Sequence, residues 1–183
     1  MKTYNDTTYA ILGILTTPCK SGYDIKQFID QSLNHFWKIS YGQIYPTLKI
    51  IVKEGLAEVK VSQTQGRVDR NEYYLTTKGL EILKSWLEQP IEHAPIERNE
   101  VLLKLFFGSY QSAESTVSLL QDYKQRLETR YETYLAIEQG ILQHNKEEKD
   151  AMYWLFTLDY GKRGTKAAIE WCEHTLKYFS IKE

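Results

Sequence analysis

The hydrophobic period of the first ninety residues changes twice, and those changes dictate the fold. Ile44, Leu48, Ile51 and Val52 recur at helical spacing. Gly55 follows, where a helix end favours a left-handed residue. The stretch "LAEVKVS" then alternates, with Ala57, Val59 and Val61 facing inward and Glu58, Lys60 and Ser62 outward, which is strand period. "NEYYLT", Asn71 to Thr76, is a second short strand rich in β-formers. Helical spacing returns from about Thr77, with Leu80, Leu83, Trp86 and Leu87 apolar. Between the strands, "QTQGRVDR" is too long and polar for a two-residue turn, so a protruding loop with Gly66 near its tip is expected.

Two helices precede this block. The first runs from about Asn5 to Leu15, with Tyr9, Leu12 and Ile11 inward. The second starts at Ser21, a fitting N-cap with Asp24 three residues on, and buries Ile25, Phe28, Ile29 and Leu33. Three helices, a hairpin and a fourth helix, in that order, describe a winged helix-turn-helix domain. The expected fold class is therefore mainly α with a small β-hairpin. In that geometry the third helix enters a major groove and the hairpin loop lies beside it.

The third helix, "SYGQIYPTLKIIVKEGL", fits this use. Gln43 and Thr47 are hydrogen-bonding side chains near its N-terminal end, where base edges are met. Lys49 and Lys53 suit phosphate contacts that position without specifying. Tyr41 and Tyr45 can donate a hydroxyl to phosphate or lay a ring on a thymine methyl. Arg67 and Arg70, assigned to the loop, suit a phosphate or minor-groove contact. With Ser40 these residues form the candidate DNA-contacting set. A local alternative stands beside it: Ser40-x-x-Gln43 also matches a capping box, in which Gln43 folds back on the Ser40 amide. Lys49 and Lys53 also fit a solvated surface. Pro46 within the helix removes a backbone donor to Gly42, so a distorted first turn is expected, with regular helix beyond it.

Charge is compatible with an anionic partner only locally. The whole chain of 183 residues carries a formal charge of −1. Residues 1–89 hold 11 Lys and Arg against 9 Asp and Glu, and residues 90–183 hold 12 against 15. No apolar run reaches the length of a membrane span, and the N-terminal stretch does not resemble a signal peptide. Cys19 and Cys172 lie far apart, as buried thiols of a cytoplasmic protein would. The sequence has no phosphate loop, metalloprotease helix or nucleophile elbow, and its four histidines are scattered. Neither catalysis, a metal nor a cofactor is expected.

"QPIEHAPIE" places two prolines close together between two periodic regions. The expected organisation is a DNA-binding domain over residues 1–89, a linker over 90–96 and a helical domain over 97–183. In the last, Leu120, Leu127, Tyr134 and Ile141 repeat every seven residues along a helix expected from Ser112 to His144. A second stripe contains Trp154, Leu158, Gly161, Thr165, Ala168 and Cys172. A helical pair with such a stripe exposed would bury it against a second copy. Leu120, Leu127, Tyr134, Ile141, Trp154, Leu158, Gly161 and Ala168 are accordingly the expected dimerisation residues. The many aromatics, Tyr123, Tyr134, Trp154 and Trp171 foremost, can line a pocket for a small aromatic effector between domains or protomers. Packing is the other reading of the same residues.

"ILGILTTPCKSGYDIKQFI", "FWKISYGQIYPTLKIIVKEGLAE" and "NEYYLTTKGLEILKSWLEQP" together resemble the PadR-like transcriptional regulators. Ser21 to Asp24 match the family's entry to its second helix. Gly42, Gln43, Tyr45, Pro46, Leu48 and Gly55 match its third helix, and Tyr74-Leu75-Thr76 runs into Lys78-Gly79 as in the family. The loop departs from it, with Gly66-Arg67-Val68 where Gly-Arg-Pro is common. The second half more loosely resembles the virulence-activator-like dimerisation domain. The resemblance implies a cytoplasmic homodimer that binds operator double-stranded DNA at a pseudo-palindrome, usually as a repressor, often of its own gene, and sometimes effector-responsive. The alternatives are a winged-helix protein–protein interaction module, or a small-molecule-binding protein without DNA affinity.

Overall fold

The computed structural model describes residues 3–62, 70–91 and 97–180. They fall into two compact units, Met1–Ala94 and Pro95–Glu183. The first contains α1 (Asp6–Ile14), α2 (Gly22–Gln31), α3 (Tyr41–Lys53), β1 (Ala57–Ser62), β2 (Arg70–Leu75) and α4 (Thr77–Leu87). The expected linker lies mostly outside the described residues, at positions 92–96.

Each helix of the first unit begins where its side chains can satisfy free backbone donors. Asn5 Oδ1 accepts the Thr8 N–H at 2.9 Å. At α2, Asp24 N–H donates to Ser21 Oγ (3.1 Å) while Ser21 N–H donates to Asp24 Oδ2 (2.9 Å), a reciprocal box. The core between these helices is aliphatic: Ile11, Leu12, Ile25, Ile29, Ile44, Leu48, Ile51 and Leu56 are all fully enclosed. Each such side chain contributes about 1.5–3 kcal/mol by leaving water. Trp86 of α4 closes one side by stacking on Tyr9, with ring centroids 4.7 Å apart and planes 6° from parallel.

The end of α3 sets where the hairpin starts. Gly55 adopts φ +68°, the left-handed conformation its position favours. Its N–H donates to the Val52 carbonyl and the Leu56 N–H to the Ile51 carbonyl at 2.8 Å, which is a Schellman closure. The chain then turns into β1, which pairs antiparallel with β2 from Ala57↔Leu75 to Ser62↔Arg70. On the other edge of β2, Tyr73 N–H donates to the Lys20 carbonyl and Ser21 forms an isolated bridge with Glu72, which ties the segment before α2 to the hairpin. Gly79 permits α4 to lie against the start of β1, since a Cβ there would fall 2.1 Å from the Leu56 carbonyl oxygen.

The hairpin corrects one expectation. Val59 and Val61 alternate with polar residues as a strand should, yet they are 43% and 59% exposed. The core ends at Ala57 on this strand, whereas on β2 it extends to Tyr73, the residue opposite Val59. Arg70 is also displaced from the loop reading, because it is the first residue of β2.

The second unit contains α5 (Glu100–Phe106), α6 (Ala113–His144) and α7 (Ala151–Ser180). Helices α6 and α7 form an antiparallel hairpin. Its register is fixed by Lys124–Glu173 (2.8 Å) toward one end and Lys162–Glu138 (2.6 Å) toward the other. Leu120, Leu127 and Tyr134 on α6 are buried, as are Leu158, Thr165 and Cys172 on α7. Gly161 gives the Tyr134 ring its place, since a Cβ would lie 3.0 Å from Tyr134 Cε2. This corrects the dimerisation assignment for four of the eight expected residues, while Ile141, Trp154, Gly161 and Ala168 are half-buried. The stripes of Leu120, Leu127, Tyr134 and Leu158 are covered within one chain, because each helix presents its stripe to the other.

Candidate nucleic-acid interface

Helix α3 divides into two faces at about 100° per residue. Ile44, Thr47, Leu48 and Ile51 are buried. The opposite side carries a ridge of Gly42, Pro46, Lys49 and Lys53, all exposed and spaced four, three and four residues apart. Tyr41 and Tyr45 flank it on one side, Gln43 and Ile50 on the other. Lys49 and Lys53 take part in no ion pair among the described residues, so two adjacent ammonium groups face solvent. Thr47 is corrected: it is 4% exposed and cannot reach a base edge. It lies three residues after Ile44 and four before Ile51, which places it on the inner face.

Pro46 is accommodated without a break in the helix. Gln43 N–H donates to the Ser40 carbonyl at 2.9 Å, a three-residue bond that tightens the start of the helix. The helix then continues unbroken through Pro46 to Lys53. Gln43 folds back on its cap, its Oε1 accepting from the Ser40 N–H (3.2 Å) and the Ser40 hydroxyl (3.1 Å). The capping role is therefore realised in the free chain, and contact with a base would require Gln43 to leave it.

The two tyrosines are held from α2. Tyr41 donates its hydroxyl to Asp30 Oδ1, which also accepts from Asn34 Nδ2 at 2.9 Å, and Lys26 Nζ lies 4.4 Å from the Tyr41 ring centroid. The bond to Asp30 pushes the Tyr41 phenol above its usual range. Tyr45 lays the hydroxyl end of its ring over Gly22. Lys26, Asp30 and Ile50 belong to this surface, and no local pattern singles out Lys26 or Asp30. Ile50 alone had a signal, an apolar residue opposite the inner stripe.

At the base of the wing, Arg70 Nη2 lies 3.4 Å from Glu72 Oε1, and Tyr74 donates to Glu72 Oε2 at 2.7 Å. That hydroxyl bond, reinforced by Arg70, holds the Glu72 carboxyl below its usual range despite some desolvation. Lys20 and Lys60 lie 5.8 and 5.0 Å from the Tyr74 ring centroid. Arg70 is thus exposed but committed to a carboxylate. Arg67, with Gly66, lies outside the described residues.

The residues expected around an effector take these places in the second unit. Tyr134 is packed against Gly161, and Tyr123 accepts a hydrogen bond from Asn99 Nδ2 at 3.0 Å. Trp154 and Trp171 are half-buried on α7. Two shallow surface hollows lie over residues 142–148 and beside Asp122, Gln125, Arg126 and Thr129, and none of these four aromatics lines either. Burial pushes the Cys172 thiol up. Among the described residues no cluster of His, Cys, Asp or Glu is arranged to hold a metal, and no helix is long and apolar enough to cross a membrane.

Comparison with known proteins matches both units. Residues 11–85 match the family described as transcriptional regulator PadR-like, and residues 97–180 match the virulence activator alpha C-terminal family. The negative transcriptional regulator PadR of Bacillus subtilis (strain 168) is 34% identical over 125 residues, which is 67% of each chain. The crystal structure of that protein with operator DNA superposes with a TM-score of 0.84 at 25% identity, covering 96% of this chain and 99% of the other. Its complex with p-coumaric acid gives 0.75 at 26%, over 94% and 98%. The Vibrio cholerae virulence activator AphA gives 0.73 at 27%, over 96% and 99%.

Proposed function

The chain belongs to the PadR-like family of transcriptional regulators, and from that premise we propose that it is a homodimeric repressor that reads a pseudo-palindromic operator with α3. The observation that carries the reading is the outward ridge of α3. It joins two exposed lysines, without an ion pair among the described residues, to a glycine and a proline that keep the helix start free of bulk. Such a face suits close approach to DNA, with Lys49 and Lys53 on phosphates and Tyr41, Gln43, Tyr45 and Ile50 along the groove walls and bases. Arg70, and Arg67 before it, would meet the flanking backbone.

Self-association is supported by what the helical unit leaves uncovered. Helix α5 buries none of its own residues. Leu102, Leu103, Phe106, Phe107 and Tyr110 are exposed, Phe106 at 82%. A seven-residue helix is not stable alone in water, and a second copy covers it most economically. Two copies would set two α3 helices about one DNA turn apart. Repression is the reading because the Bacillus relative is a negative regulator. Its complex with p-coumaric acid supports a planar aromatic acid as effector, with Trp154 and Trp171 as reporters.

Selection of bound duplexes from a random pool tests the proposal. Enrichment of an inverted repeat, bound by two chains and lost when one half-site is scrambled, is the expected result. Enrichment of no sequence would refute it.

A further inference from the structure

We propose that Gly22 is a positioning residue for DNA recognition: its missing side chain seats the ring of Tyr45 and so sets where α3 presents that ring. The inference rests on the DNA-binding reading of α3.

The geometry is specific. A Cβ built on Gly22 would fall 2.7 Å from Tyr45 Cε1, 2.8 Å from Cζ and 2.9 Å from Oη. Carbon atoms in contact prefer about 3.5–4.0 Å. The outer end of the tyrosine ring therefore fills the volume that any side chain at position 22 would need. Tyr45 is nevertheless 57% exposed, so the ring is not part of the core.

Nothing in the backbone explains the glycine. Gly55 is the one described glycine with positive φ, and Gly22 is not in that region. It is the first residue of α2, directly after the reciprocal cap of Ser21 and Asp24. Its conformation is open to alanine, and glycine in a helix is less stable than alanine. The fold would gain from a side chain here, and the ring of Tyr45 would lose its seat. An exposed tyrosine fixed in one rotamer loses less freedom when it docks, which is the use of holding it. Tyr45 flanks the outward ridge beside Pro46 and Lys49, so a displaced ring would be displaced along the surface that meets DNA. The clash is with the far end of a side chain that can swing into solvent, so Gly22→Ala leaves the core intact.

The test is a cycle of Gly22→Ala, Tyr45→Ala and the double variant. The full-length chain is titrated by fluorescence anisotropy with the duplex enriched from the random pool, and thermal unfolding is followed in parallel. Gly22→Ala is expected to weaken binding about 3- to 10-fold, with its unfolding midpoint unchanged or raised. In the Tyr45→Ala background the same substitution is expected to change nothing. Opposite movement of affinity and stability is a result that a merely structural glycine would not give. Equal affinity of parent and Gly22→Ala would overturn the inference. So would an equal loss with and without the Tyr45 ring, or a loss accompanied by a lowered midpoint. Failure of the parent chain to bind any duplex would appear before any substitution and would remove the DNA reading, and this inference with it.

Discussion

Lys49→Gln and Lys53→Gln, singly and together, should change the salt dependence of DNA binding by an amount that can be worked out beforehand. The two residues are four apart on the outward ridge of α3, exposed and without ion-pair partners among the described residues. Each phosphate neutralised on duplex DNA adds about 0.9 to the slope of log affinity against log salt. The single variants should therefore each flatten the slope by about 0.9, and the double variant by about 1.8. Relative to 1 M salt, one such contact is worth about fivefold in affinity at 0.15 M and about fifteenfold at 0.05 M. The double variant should then lose about 30-fold at 0.15 M and about 200-fold at 0.05 M, and converge on the parent near 1 M. Anisotropy titrations at five or six salt concentrations give the slopes directly. Both substitutions are on the surface, so stability should stay within about 0.5 kcal/mol of the parent. Parallel lines, with the variants displaced or not but unchanged in slope, would refute the assignment and leave both lysines as solvated surface.

Three further outcomes follow from the packing. Gly79→Ala should destabilise the first unit by about 1–3 kcal/mol in urea unfolding, because the Cβ would meet a backbone carbonyl that cannot swing aside. Unchanged stability would mean that α4 shifts freely. For Asp24, partial burial raises the carboxyl pKa, but hydrogen bonds from Ser21 and Lys20, with the Arg70 charge, outweigh it and hold the group below its usual range. A depressed folded-state value gives stability that is present above the unfolded pKa and lost as pH falls through the folded one. Asp24→Asn should therefore flatten the fall in stability below about pH 4, read from unfolding midpoints across an acid series. Phe106→Glu should halve the mass seen by light scattering at micromolar concentration, with helix content retained, if α5 is the surface that a second copy covers.

Most helix positions are legible in the sequence because those helices announce their own ends; α5 is the exception, a seven-residue helix too short to show a period. Ser112 was expected to begin the long helix and caps it, with the helix closing at His144 as expected. Ser21 with Asp24 and Gly55 after α3 behaved likewise, since caps and left-handed glycines act within a few residues. What the period could not supply was the identity of the surface each face meets. Thr47 was read as outward because it is polar, although its spacing from Ile44 and Ile51 places it inward and a small hydroxyl side chain is easily enclosed. Val59 and Val61 have strand alternation, but alternation does not tell how far the core extends along a hairpin. The stripes of α6 and α7 were correctly placed on one face each, and only the fold shows that they cover each other within one chain. Tyr41 on Asp30, and Tyr45 on Gly22, join residues eleven and twenty-three positions apart, beyond any local pattern.

The measurement that bears most directly on the central claim is anisotropy binding of the full-length chain to DNA from upstream of its own gene, against a scrambled duplex, over a salt series. The account predicts tighter binding to the upstream DNA, with affinity for both falling steeply as salt rises. Absence of binding to either duplex at low salt would contradict it, because a surface built on two exposed lysines and a groove-sized helix should at least hold DNA non-specifically there.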